Sequence, residues 1–357
     1  MTKTPEDAKS VANRKVEHIR AIERDADIER AQSGFDQIRL THRALPEIDL
    51  DAVDTKTGFL GKSLTLPLLI SSMTGGSDEE IIRINRNLAE AAEEVGVALA
   101  VGSQRVMFAD EKARESFELR KHAPTIPVLG NIGAVQLVQP GKRLTPEQCA
   151  QAIDILKADG LYLHLNPLQE AVQPEGDRNF GNLSEAIANV ATHLDVPVLL
   201  KEVGAGLSSA DIVLGYNAGI RHFDVAGRGG TSWSRIEYHR RTQDGDDLGL
   251  IFQDWGLTTV ECLQDARDIL AQKPEATTLI ASGGIRNGID MAKAMILGAD
   301  LCGIASPFLA PAKVSAAEVV KTIRKFEREF RTAMFLLGCE GLSSLQGNTS
   351  LIRPRMT

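Results

Sequence analysis

Eight short apolar runs alternate with helix-like segments, no glycine fingerprint follows the first run, and the glycine-rich turns come late. Together these observations predict an α/β fold, a (β/α)8 TIM barrel with an N-terminal helix and hairpin extension and a long loop after the sixth barrel strand. The runs are "PLLISSM" (67–73), "ALAVGS" (98–103), "PVLGNIG" (127–133), "GLYLHLN" (160–166), "PVLLKEV" (197–203), "HFDVAGRGG" (222–230), "TTLIASGGI" (277–285) and "DLCGIASPF" (300–308). They lack polar alternation, as parallel strands buried on both faces do. Between them, "DEEIIRINRNLAEAAEEVG", "TPEQCAQAIDILKADG" and "NGIDMAKAMILGAD" carry apolar residues at helical spacing. They begin near Asp, Thr or Asn caps and mostly stop at Gly. An open doubly wound sheet would need a GxGxxG turn after its first strand, where this chain reads "SSMTGGSDEE".

Residues 1–66 precede the barrel, and "EIDLDAVDTKTGFLGKSLTLP" has the turns and alternation of a hairpin that plugs its bottom. The barrel is expected over 67–340 and a tail over 341–357, with the connection 228–257 as a mobile lid. The chain has 357 residues, 43% of them hydrophobic, which suffices for a large core. Its net charge of −8 argues against a general nucleic-acid surface. No CxxC pairs the four cysteines. The N-terminus lacks a signal-peptide core, and no apolar run approaches the roughly 18 residues of a membrane span. A soluble protein of the reducing cytoplasm is expected.

In such barrels chemistry collects at the C-terminal strand ends. Read as one ring, these offer Ser72, Met73, Thr74, Ser103, Gln104, Arg105, Asn131, His164, Asn166, Gln169, Glu170, Lys201, Thr231, Gly283, Gly284, Arg286, Ala305 and Ser306. The consecutive turns "GRGGTS" and "SGGIRNG", with Ser306 opening the next loop, favour a phosphate-bearing cofactor over ordinary turn chemistry. A helix starting near Asn287 or Gly288 would add its positive end. Lys201 needs an anion at the barrel mouth. Two partners answer: a flavin ring, whose N1/O2 edge turns negative on reduction, or a structural carboxylate such as Glu202.

"RKVEH" (14–18), "SSMTGG", "GSQR", "GNIGA", "HLNPLQE", "KEVG", "AGRGGTSW", "ASGGIR" and "GAD" occur in order. This set resembles type 2 isopentenyl-diphosphate Delta-isomerase, an FMN-dependent family, over about residues 14–345. The resemblance implies FMN contacts at Ser72, Met73, Thr74, Ser103, Asn131, Lys201, Thr231, Gly283, Gly284, Arg286, Ala305 and Ser306. It implies diphosphate contacts at Arg14, Lys15, Ser103, Gln104, Arg105, His164 and Gln169, and Mg2+ on Glu170. FMN itself would be the acid and base, supported by Lys201, His164 and Gln169, with NADPH as reductant. The expected partner is a small diphosphate substrate, with neither nucleic acid nor membrane, in a homotetramer or larger assembly. Arg14, Lys15 and His18 share a helix face that is either a solvated basic stripe or an arm over the mouth. The resemblance favours the arm.

Two rivals lack a residue they need. A 2-hydroxy-acid oxidase requires a late histidine base, but the seven histidines end at His239; inosine monophosphate dehydrogenase requires a cysteine where "GRGGTSWS" stands. A flavin carrier without catalysis would need neither Arg105 nor Glu170.

Overall fold

The computed structural model describes residues 17–18, 20–73, 75–240 and 245–353. Eight parallel strands close a barrel: β3 (Leu68–Ile70), β4 (Ala98–Ala100), β5 (Val128–Gly133), β6 (Gly160–Leu165), β7 (Val198–Glu202), β8 (His222–Asp224), β9 (Thr278–Ser282) and β10 (Leu301–Ile304), with β10 pairing β3. Each lies within one of the eight apolar runs.

The missing polar alternation has a direct cause, because each strand faces two cores. Leu69, Leu129, Tyr162, Leu199, Ile280 and Leu301 belong to a cluster inside the barrel. Ile70, Leu161, Leu200, Phe223 and Ile304 join a larger one shared with the surrounding helices. Each fully buried leucine or isoleucine contributes about 1.5–3 kcal/mol.

The hairpin β1 (Thr57–Phe59) and β2 (Lys62–Leu64) pairs antiparallel in the expected segment. Its two-residue turn, Leu60–Gly61, has φ of 49° and 75°, the left-handed pair that matches strand twist. Phe59 and Leu64 enter the inner cluster and close the lower end of the barrel.

Helix signals read from sequence have physical counterparts. Asp78 caps Glu79–Val95, which stops at Gly96 with φ 80°. Thr145 and Gln148 form a reciprocal capping box on Pro146–Leu156, whose C-cap is Lys157, also left-handed, rather than Gly. Asn287 caps Gly288–Ile296.

The connection after β8 is more ordered than a bare loop. It forms helices Trp233–Arg240 and Leu248–Ile251, and Ser234, Ile236 and Glu237 are buried. Residues 241–244 lie outside the described residues. Ion pairs tie the first of these helices to the N-terminal segment: Arg235 Nε donates to Asp25 at 2.6 Å, and His239 Nε2 lies 2.6 Å from the same carboxylate. The Arg235 hydrogen bond holds the Asp25 carboxyl well below the usual carboxylate range. All four cysteines are buried free thiols. Among the described residues no helix is long and apolar enough to cross a membrane.

Candidate active site

Strand register sets the rim. Gly133 pairs His164, His164 pairs Lys201 and Lys201 pairs Asp224, so four consecutive strands present one level of residues just above the apolar barrel interior. Side chains two apart on a strand share a face. Hence Tyr162 lies below His164 and Leu199 below Lys201, inside the barrel. A large cavity opens above this level, lined by Ser72, Met73, Ser103, Arg105, Asn131, His164, Gln169, Glu170, Lys201, Thr231, Gly283, Gly284, Arg286, Ala305 and Ser306. Every described residue expected at the site lines it, with one exception.

That exception is Gln104, expected to touch substrate. Its side chain is fully buried in the barrel wall, where Nε2 donates to Ala152 O at 2.8 Å and Oε1 accepts from Asn131 N at 3.0 Å. It positions Asn131 instead. Asn131 Nδ2 donates to Val101 O at 3.1 Å, and its Oδ1 stands 2.7 Å from His164 Nδ1. Because that oxygen only accepts, His164 carries a proton on Nδ1 and donates it to Asn131. Arg14, Lys15 and Thr74 lie outside the described residues.

In "HLNPLQE", Asn166 is the clasp. It stands at the N-cap of Pro167–Val172, and its Nδ2 donates to Gln169 Oε1 at 3.1 Å and Glu170 Oε1 at 2.9 Å. Glu170 Oε2 accepts from Asp177 N at 2.7 Å, so the carboxylate is buried with both oxygens oriented. Asp177 in turn accepts from Arg105 NH1 and Gln136 Nε2, each at 2.8 Å. Sequence reading missed Asp177, whose partners lie 72 and 41 residues away.

The two glycine turns pack on each other. A Cβ on Gly283 would stand 2.1 Å from Gly227 O, and one on Gly284 2.5 Å from Gly229 O. Their first duty is therefore mutual packing. The expected dipole contribution at Asn287–Gly288 is corrected by the structure: Gly288 N donates to Glu329 at 2.9 Å, Asp290 N to Asn287, and Arg286 N to Asp290. The helix Ser306–Val314 has no side-chain cap, so its open N-terminus is the one at the cavity. Glu29, also unforeseen, accepts from Thr231 Oγ1 and Arg286 NH2, each at 2.5 Å. A segment around it is stitched to the same turns through Arg30, which donates to Gly230 O, Thr231 O and Gly204 O.

The donor set fits a phosphorylated flavin. Ser72 Oγ and Arg105 Nε are buried without partners among the described residues, Thr231 and Arg286 are donors already aimed at a carboxylate, and Lys201 brings a cation. For a metal, no group of three or more ligating side chains exists among the described residues. A lone Glu170 fits Mg2+ only as Mg2+ commonly binds, through one carboxylate plus phosphate oxygens.

The arm reaches its own chain's cavity. Residues 17–18 and 20–24 are helical, and His18 and Ile22 line the site. His18 Nε2 lies 3.2 Å from Glu237, which also accepts from Gln169 Nε2 at 2.9 Å and from Arg240. Glu237 thus joins arm, lid helix and "HLNPLQE". Burial alone would raise its pKa, but the His18 hydrogen bond and the His18 and Arg240 charges outweigh it and hold it at about 2. The folded value lies below the ordinary 4.5, so this stabilisation is present above about pH 4.5 and fades as pH falls toward 2. It amounts to about 3 kcal/mol. Trp233 packs edge-on against His18 at 5.2 Å, so its emission should step across that range. A Glu237→Gln protein that keeps the same step would contradict the assignment.

A closed parallel barrel with this polar rim and a phosphate-ready donor set defines a flavin-dependent (β/α)8 enzyme. The model of the FMN-dependent dehydrogenase family matches residues 9–120 and 145–353. Among curated proteins, the chain is 66% identical over 343 residues to the isopentenyl-diphosphate delta-isomerase of Paracoccus zeaxanthinifaciens, covering 96% of this chain and 97% of that protein. It is 54% identical to the one from Hydrogenovibrio crunogenus, covering 96% and 98%. The chain belongs to the isopentenyl-diphosphate delta-isomerase family, within the FMN-dependent barrels. Among solved structures, it superposes on a lactate oxidase of Pediococcus acidilactici with TM-score 0.68 at 14% identity, covering 92% of this chain and 87% of that one. An (S)-mandelate dehydrogenase mutant gives 0.65 at 16%, covering 90% and 89%. These likenesses concern the fold alone.

Proposed function

We propose that this chain converts isopentenyl diphosphate to dimethylallyl diphosphate, a 1,3-allylic proton shift in isoprenoid biosynthesis. The observation that carries the reading is the buried "HLNPLQE" clasp, which sets an oriented carboxylate and a carboxamide beside a flavin-sized cavity. Reduced FMN, when bound, supplies the acid and base that add a proton at C4 and remove one at C2.

The chain's own residues bind, orient and exclude water. Arg105 and Gln169 anchor the diphosphate, with Ser103, His164 and the arm residues Arg14 and Lys15. His164, whose Nδ1 donates to Asn131 Oδ1, would donate from a protonated Nε2 to a phosphate oxygen. Glu170 would hold Mg2+ together with substrate oxygens. Lys201 would face the ring, and Ser72, Met73, Thr74, Asn131, Thr231, Gly283, Gly284, Arg286, Ala305 and Ser306 would cradle the cofactor. Closure by the arm and the Trp233–Arg240 helix keeps the proton shift dry. NADPH would supply the electrons that bring bound flavin to its reduced form and would not be consumed with turnover.

Against an oxidase, no histidine stands at the cavity end of a late strand among the described residues. His222 opens β8 against Phe59 at the lower end, and His239 pairs with Asp25. The proposal extends to a cytoplasmic protein and to a homotetramer or larger assembly, and the exposed Ile251 and Trp255 near the Trp233–Arg240 helix support the assembly. Proton NMR of isopentenyl diphosphate in D2O, with Mg2+ and chemically reduced FMN but no nicotinamide, should show deuterated dimethylallyl diphosphate. No conversion with bound, reduced flavin would overturn the isomerase reading.

A further inference from the structure

One polar cluster at the rim level contains two residues, Asp224 and Tyr162, that the reaction just described does not use. Asp224, the last residue of β8, is fully buried inside the barrel at the level of Lys201. Its Oδ2 accepts from the Tyr162 hydroxyl at 3.0 Å and its Oδ1 accepts from the Ser282 hydroxyl. Lys201 Nζ stands 3.6 Å from Oδ2, and no other carboxylate lies within 4.0 Å of that ammonium among the described residues. Lys201 also donates to Glu202 O at 3.0 Å. The Glu202 carboxylate is spent elsewhere, accepting from the backbone N–H groups of Val203, Gly204, Ala205 and Gly206.

A buried carboxylate survives when donors and a cation replace water, and Asp224 has both. Burial pushes the Tyr162 phenol well above 10, so it acts only as a donor here. Two of the cluster's members, Lys201 and Ser282, line the cavity, while Asp224 and Tyr162 do not. The carboxylate is thus placed to act on a cavity ligand through Lys201.

We propose that Asp224 is a positioning residue that holds the Lys201 ammonium at the cavity edge and offsets its charge, and so limits how strongly the site favours reduced, anionic FMN over oxidised FMN. The inference rests on the reading that Lys201 faces the flavin. Reduction adds two electrons and one proton and leaves one negative charge on the ring, so an uncompensated cation beside it would favour the reduced form. The pair presents less net charge than the lysine alone. Such an offset suits a site where the flavin serves proton transfer and must also be loaded by an external reductant.

The test is an anaerobic reductive titration of the FMN-loaded protein against a reference dye. At one dye potential, Asp224→Asn should raise the ratio of reduced to oxidised FMN about tenfold or more, and Lys201→Met should lower it. FMN retained at full stoichiometry with an unmoved or lowered ratio in Asp224→Asn overturns the proposal alone. Wild-type protein that retains no FMN overturns the flavin reading and the proposal with it. Should the Asn protein fail to fold, Tyr162→Phe serves instead. It strips one donor from Asp224, so more of the carboxylate's charge falls on Lys201 and the ratio should drop, whereas a rise or no change counts against the proposal.

Discussion

Glu170→Gln is expected to lower kcat/KM by about 10²–10³-fold and to flatten the response to Mg2+. The side chain keeps its shape but loses the charge with which it would hold Mg2+ in the proposed reaction. It also meets two fixed donors, Asn166 Nδ2 at 2.9 Å and Asp177 N at 2.7 Å, and an amide NH2 cannot accept from either. One of those donors would be left unpaired, at a cost of about 1–3 kcal/mol. The local helix should therefore loosen while the barrel stays folded. Rates measured across a Mg2+ titration, alongside thermal melts, separate the two effects. A Gln protein with unchanged Mg2+ dependence would remove Glu170 from the metal.

Gly283→Ala should be the most destructive single methyl in the molecule's cofactor region. The residue sits at φ 102°, where side chains are strained, and its Cβ would meet backbone on one side and Thr259 Oγ1 at 2.7 Å on the other. Neither neighbour yields cheaply, since Gly227 O belongs to the facing glycine turn. The expected cost is about 3–5 kcal/mol, expressed as a lower melting temperature and loss of most bound FMN. Gly61→Ala is the internal control. Its φ of 75° is also left-handed, but nothing lies within 4 Å, so only the backbone strain of about 1 kcal/mol remains. Equal losses in the two proteins would show that the glycine packing does not matter.

The barrel was legible because every strand carries the same local signature, an apolar run buried on both faces. The site was legible where residues sit at strand ends in register, as His164 and Lys201 do. What escaped was pairing across distance. Glu237 reads as one more charge on a polar helix, and only the folded chain brings His18 and Gln169 to it. Glu29 and Asp177 are ordinary acidic residues until Arg286 and Arg105 arrive from 257 and 72 residues away. Gln104 misled for a related reason: it stands between two cavity residues, Ser103 and Arg105, yet its side chain turns into the wall. At Asn287 the capping signal itself implied that the first amides are taken, and that implication outweighs the dipole expected there.

Arg30 has a consequence for how the protein is made. It donates to Gly230 O, 200 residues further along the chain, and to Gln253 O, 223 residues away. At about 5–20 residues per second, its partners leave the ribosome roughly 10–40 s after it does. During that interval the apolar Ile28 and Phe35, both buried in the finished protein, have no late-strand loops to cover them. The amino-terminal segment must wait, and the cavity rim it completes is among the last parts of the molecule to form. A nascent chain halted before residue 230 is therefore expected to recruit chaperones through this segment, although six of its eight strands or fewer would already have been synthesised.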